Sequence, residues 1–267
     1  MFDTGGAPLD LRQIAASGQC FRLDEYDDGR FLAVTGTHMV EIHRREGGYV
    51  FWCSEDEFRS VWVPYFDLDT DYGAFQRRME DDPFLRDAVQ DGGGIRILRQ
   101  DLWETAVTFV ISQRNNIPRI RRTVEALCGA FGTPLGEIGG REIHAFPTPH
   151  QLRGRDLSAA SLGYREPYIK ELADRDTGIW RQLPSQDDGQ AKQTLLSMRG
   201  VGEKVADCIL LFGLHRMDSY PRDVWIHRLI DDVYHGSFDP GRYAGFAGYV
   251  QQLQFYHYRD RTRAGER

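Results

Sequence analysis

Residues 195–208, LLSMRGVGEKVADC, set a lysine two positions behind a Gly-Val-Gly turn. The stretch reads as a helix, a tight turn and a second helix. Gly200 and Gly202 let the backbone turn sharply and approach a ligand. The second helix begins beside them, so its unpaired N–H groups point outward and form an anion site that needs no side-chain charge. A phosphate of a DNA backbone suits that site, and a glycine-capped helix corner is the plainer alternative. Lys204 lies in the first turn of the second helix. The positive helix end disfavours an ammonium there, and a neutral amine is the form that attacks carbon. Cys208, at i+4, shares its face. Taken alone, a lysine at such a position is more often simply solvated.

A carboxylate follows one loop later, in the run YPRDVW over 220–225. Pro221 stiffens the entry and Asp223 is placed to cap the next helix. A fixed carboxylate there also suits stabilising positive charge on a sugar ring as a base departs, or moving protons. Capping alone remains the plainer reading. Trp103 and Phe109 read as core residues, and His227 and His235 as surface or core residues rather than ligands. No His/Asp/Glu cluster has metal-ligand spacing. Cys20, Cys53, Cys128 and Cys208 are far apart and form no CxxC, which removes a zinc ribbon or an iron–sulfur loop. They are expected to be reduced and mostly buried.

The net charge of -7 opposes DNA binding if read as a sum. Its distribution does not. Arg114, Arg119, Arg121 and Arg122 fall within nine residues that contain no acid, and the tail adds Arg259, Arg261, Arg263 and Arg267. The only lysines are Lys170, Lys192 and Lys204. No apolar run approaches the ~18 residues of a membrane span. The start, MFDTGGAPLD, lacks a basic, apolar signal sequence. A cytoplasmic, nucleoid-associated monomer is therefore expected.

The elements that must position these groups divide into two parts. Over 31–43 and 49–53, β-branched and aromatic residues flank a Gly47-Gly48 turn signal, which predicts a hairpin. After Gly92-Gly93-Gly94 the apolar spacing turns helical. Trp103, Val107, Val110 and Ile111 mark one helix from 101; a second fits 119–131, stopped by Gly132 and Pro134. Further helices fit 149–153, 166–177, 190–198, 204–213, 223–234 and 243–258. The fold class is α+β: a small antiparallel β-containing domain over 1–95 and a larger helical domain over 96–267, its helical hairpin at about 195–213.

GVGEKVADCILLF with PRDVW resembles the helix-hairpin-helix DNA glycosylase superfamily, and more closely its 8-oxoguanine glycosylases. Five further stretches resemble signatures of the same family: GQCFR at 18–22, WE with FVISQRNNIPRI at 103–120, FPTP at 146–149, LGYR at 162–165 and QQLQFYHYR at 251–259. They run in one order from about residue 10 to 260.

The resemblance implies a base-excision-repair enzyme that flips 8-oxoguanine out of duplex DNA and removes it through a lysine Schiff base, with associated strand cleavage at the abasic site. It implies Lys204 as nucleophile and Asp223 as the catalytic aspartate. It implies that the backbone carbonyl of Gly18 reads the N7 hydrogen peculiar to the oxidised base. Cys208 and Phe255 would sandwich that base, and Gln251 would read its Watson–Crick edge. Asn115 and Asn116 would approach the vacated space, Tyr164 would wedge beside the opposite base, and Arg119 and Arg165 would bind the orphaned cytosine. No cofactor and no metal are implied, although an ion bridging the hairpin to phosphate is left open. The partner is double-stranded DNA containing oxidised guanine.

Two positions depart from the pattern. Arg114 stands where the family has an asparagine, which puts the opposite-base preference in doubt. Trp225 stands where some relatives carry a phosphate-binding histidine. A monofunctional alkylpurine glycosylase of the same fold, or a non-catalytic helix-hairpin-helix module, remain the alternatives. An endonuclease III-like enzyme would carry the missing four-cysteine cluster.

Overall fold

A computed structural model describes residues 2–3, 8–175 and 177–265. Five antiparallel strands form the N-terminal sheet: β1 (Phe2–Asp3), β2 (Leu23–Asp27), β3 (Arg30–Thr35), β4 (His38–Arg45) and β5 (Gly48–Trp52), in the order β1-β5-β4-β3-β2. The apolar run 31–43 is thus two strands, closed by the Thr35↔His38 pair. Gly47, at φ 86°, makes the next turn, and Gly48 already pairs with Arg45.

The reason the first turn is hard to read lies in β3. Phe31 and Ala33 face one apolar cluster, with Ile42, Phe51, Phe58, Trp62 and Phe66. Leu32 and Val34 face another. With both faces covered, the polar–apolar alternation of a half-buried strand disappears. The second face is covered by a hairpin, β6 (Pro134–Ile138) and β7 (Arg141–His144), where the sequence predicts only a loop. Ile143 is its sole buried residue, too little to make a pattern.

The helix Leu102–Ser112 starts where expected, because Asp101 caps it: its Oδ1 accepts the Glu104 N–H at 2.8 Å. The helix Ile117–Phe131 starts two residues earlier than its apolar stripe, because Asn116 Oδ1 accepts the Arg119 N–H at 3.0 Å. The C-terminal helix Ala247–Gly265 starts later than expected, because Pro240–Tyr243 forms a 3-10 turn. Chain from both sides of residue 95 enters the largest core: Tyr72, Leu85 and Ile95 join Phe109, Phe212, Tyr249 and Leu253. Leu98 packs with the sheet cluster instead.

The basic tail is not uniformly a surface feature. Arg259 is buried, and Arg261 Nη1 lies 3.2 Å from His257 Nε2. The side chain of Arg263, and Arg267 as a whole, lie outside the described residues. Among the described residues no helix is long and apolar enough to cross a membrane.

Candidate active site

The helix Glu203–Cys208 has Gly202 as its N-cap, with no side chain bonded to its first amides. Those amides face the turn unsatisfied by protein side chains, as an anion site requires. Gly200 has φ 85°, and a Cβ added there would come within 2.6 Å of Tyr168 Cγ. Only glycine meets both conditions. Gln113 Nε2 donates to the Gly200 carbonyl at 2.8 Å and ties the end of the Leu102–Ser112 helix to this turn.

Of the three lysines, Lys170 is paired with Glu166, and Lys192 with Glu203 and Asp207. Lys204 makes no ion pair among the described residues. Its Nζ lies 5.0 Å from the centre of the Phe109 ring. A wider π-helical turn, Ile209–Gly213, continues the helix and brings Phe212 to stack on Phe109, with centroids 5.4 Å apart at 13°. Phe109 is the core residue expected, and it also floors the site. Burial pushes the Cys208 thiol up to about 11; Lys204 pulls it down and Asp223 pushes it further up. Such a thiol is neutral at ordinary pH.

Asp223 caps the helix Val224–Tyr234, its Oδ1 accepting from Trp225 N at 3.0 Å and Ile226 N at 2.9 Å. One oxygen therefore holds the carboxylate in place. Arg228, on the same helix, stands 5.7 Å over the Trp225 ring.

Gly18, Lys204, Cys208, Asp223, Gln251 and Phe255 all line one cavity, with Phe109 and Phe212 on its floor. Its volume is about 60 Å³. That holds about two waters at ~30 Å³ each, and a purine requires the walls to part. The convergence depends on a residue to which the sequence reading gave no role, Gln19. This buried side chain donates to the Arg96 carbonyl at 2.9 Å and accepts from the Leu98 N–H at 2.9 Å. The main-chain carbonyl of Gln19 accepts from Gln100 Nε2 at 2.7 Å. It stitches the Gly18 turn to the 96–100 segment. Gly18 itself has φ 78°, and an added Cβ would stand 3.6 Å from Phe255 Cε1. The available signal was Gln19's place inside GQCFR, without an apolar pattern around it.

The residues expected to meet DNA beyond the base lie nearby. Gln113, Arg114, Tyr164, Tyr168, Gly200 and Gly202 line a second, open depression. Arg114 is exposed and left-handed, at φ 48°. Asn115 Nδ2 donates to Ile111 O at 3.1 Å, and Asn116 is the helix cap already described. Arg119 is exposed and Tyr164 is 51% exposed. Arg165 is different: it is buried, with Nε and Nη2 donating to the Gln113 carbonyl, and its guanidinium lies 4.4 Å over the Tyr164 ring. In this state it braces Tyr164 and the Gln113 turn from inside. Among the described residues no group of three His, Cys, Asp or Glu is arranged to hold a metal ion.

Comparison with known proteins follows the same lines. The family model for the 8-oxoguanine DNA glycosylase N-terminal domain matches residues 2–106. A probable N-glycosylase/DNA lyase of Methanothermobacter thermautotrophicus is 30% identical over 240 residues, covering 75% of this chain and 76% of that one. The Clostridium acetobutylicum 8-oxoguanine glycosylase/lyase, solved with double-stranded DNA containing cytosine opposite the lesion, superposes with a TM-score of 0.88. It is 30% identical and the match covers 96% of this chain and 93% of that one. A 3-methyladenine DNA glycosylase from Archaeoglobus fulgidus, at 17% identity and TM-score 0.78, shares the fold.

Proposed function

The chain belongs to the 8-oxoguanine N-glycosylase/DNA lyase family, and from that premise we propose that Lys204 and Asp223 carry its chemistry. The enzyme excises 8-oxoguanine from duplex DNA and cleaves the strand at the resulting abasic site. Lys204 Nζ attacks the sugar C1′ as the C1′–N9 bond breaks, and the base leaves with a proton. Loss of water is not required, because the base is the leaving group. The C1′–O4′ bond then opens, O4′ taking up a proton, and leaves a protonated imine between C1′ and Lys204 Nζ; the imine acidifies C2′, a proton is lost there and the C3′–O bond breaks, releasing the 3′ phosphate. Asp223 steadies the positive charge that grows on the sugar ring.

One observation carries this reading: a lysine free of ion pairs among the described residues shares a cavity with a capped, immobile carboxylate. On the same reading Gly18, Cys208, Gln251 and Phe255 take the base, and a fixed acceptor at Gly18 rejects guanine, which has no N7 hydrogen to donate. Arg114, Asn115, Asn116, Arg119 and Tyr164 meet the opposite strand, and the amides beyond Gly200 and Gly202 meet phosphate. Arg165 would reach the orphaned cytosine only by leaving Gln113. The partner is duplex DNA, met by a monomer in the cytoplasm at the nucleoid.

Borohydride trapping tests the assignment. Wild-type protein on an 8-oxoguanine:C duplex is expected to form a covalent adduct, lost in Lys204→Gln. Base release without an adduct would support the monofunctional alternative, and binding without release a bare DNA-binding module.

A further inference from the structure

Phe255 and Arg259 are one helical turn apart and so share a face of the C-terminal helix. Phe255 lines the base cavity. Arg259 does not line it, yet its guanidinium lies 4.9 Å from the centre of the Phe255 ring and 5.9 Å from that of Tyr256. The cation therefore covers the ring without itself lining the cavity. Arg259 is only 3% exposed. Its Nε and Nη2 both donate to Asp260 Oδ1 at 3.0 Å, and its Nη1 is buried with no hydrogen-bond partner.

A buried guanidinium with an unspent donor is costly, and a hydrophobic residue of similar length would fill the same space more cheaply. What the hydrophobic residue would not supply is positive charge over an aromatic ring. A cation on one face is held by the ring's quadrupole and draws electron density toward itself. The opposite face then meets an electron-rich purine with less repulsion, and oxidation at C8 makes guanine more electron-rich. Asp260 holds the guanidinium through two of its N–H groups, so ring, cation and carboxylate form one linked unit on a single helix.

We propose that Arg259 is a positioning residue for base recognition: it holds and polarises Phe255, so that the ring forms a rigid stacking wall for the flipped oxidised purine. This rests on the reading of Phe255 as the base-stacking residue.

A preformed abasic site separates this role from a structural one, because it presents the sugar to Lys204 but no base to Phe255. In Arg259→Met, excision from an 8-oxoguanine:C duplex is expected to fall about tenfold in kcat/KM, the scale of a desolvated cation–π contact. The loss should lie mainly in KM. Schiff-base trapping and strand cleavage on preformed abasic DNA should stay within about twofold of wild type. Arg259→Lys, which keeps the charge, should recover most of the excision. The proposal is overturned if excision in Arg259→Met is unchanged, if abasic cleavage falls in parallel with excision, or if Arg259→Lys is no better than Arg259→Met. Absence of trapping in the wild-type protein would instead sink the lysine assignment.

Discussion

Lys204 Nζ stands 5.0 Å from the centre of the Phe109 ring and has no carboxylate partner among the described residues. The proposed nucleophile thus rests against an aromatic face rather than in an ion pair. An aromatic face restrains the side chain at a cost of only ~1 kcal/mol to leave, so it can move onto a sugar without first giving up a carboxylate partner. Phe109→Leu keeps apolar volume and removes the face, together with the stack on Phe212. Single-turnover borohydride trapping should slow by about threefold to tenfold, the equivalent of ~1 kcal/mol. Affinity for lesion DNA, measured by fluorescence anisotropy, should be unchanged.

Gly200→Ala forces a side chain into a left-handed residue and against Tyr168, at 2.6 Å from its Cγ. The expected cost is about 2 kcal/mol of stability from backbone strain alone. Because the same turn carries the outward amides, affinity for undamaged duplex should fall as well. Thermal melts and DNA titrations of the one variant report both effects.

Asp67 offers a test of pH dependence away from the site. It is 3% exposed, and it accepts from Arg99 Nε and Nη2 at 3.1 and 2.9 Å and from Tyr72 Oη at 2.9 Å. Burial alone would raise this carboxyl. Hydrogen bonds from His215 and Arg99 outweigh burial and hold it well below the ordinary carboxylate range. A carboxylate depressed on folding stabilises the protein above its unfolded value of ~3.9, and that contribution is lost as pH falls through and below it. Wild-type Tm should therefore drop steeply below about pH 4. Asn tolerates the left-handed conformation of this residue, φ 51°, so Asp67→Asn removes charge without backbone strain. It should cost about 3 kcal/mol at pH 7 and flatten the acid limb.

Arg114 is the one non-glycine residue in a left-handed conformation among the described residues proposed to meet DNA, at φ 48°. Arg114→Asn should relieve up to ~1 kcal/mol of strain and raise Tm slightly. If the guanidinium meets a phosphate, the slope of log affinity against log salt should shrink by about one. A panel of duplexes with each base opposite the lesion reads its second effect: preference for cytosine should sharpen in the variant if the arginine reaches the orphaned base.

The helical half was open to sequence reading because its devices are local. Asp101 and Asp223 each cap the helix that follows them, and Gly200 marks its turn within five residues of Lys204. The β6–β7 hairpin was not, because its meaning lies in covering β3 from a hundred residues away. Gln19 and Arg259 escaped for a related reason. A buried polar side chain leaves no periodicity, and its partners at 96–100, or the ring it backs, are visible only once the chain is folded. In the sequence Arg259 stands among the charges of a basic tail; in the fold its neighbours are Phe255, Tyr256 and Asp260.

The cavity that gathers the proposed base-binding residues lies where three packing units touch. Phe109 and Phe212 belong to the large helical core, Gly18 borders the cluster of Leu11, Ile14 and Cys20, and Phe255 packs with the small group around Tyr220 and Ile226. Widening a void inside one core would break contacts that were formed together. Widening a seam asks only that separately packed bodies shift past one another. With its walls at their present separation the seam admits water but no free purine, so a ligand screen run on protein alone would miss compounds that the DNA-loaded enzyme binds.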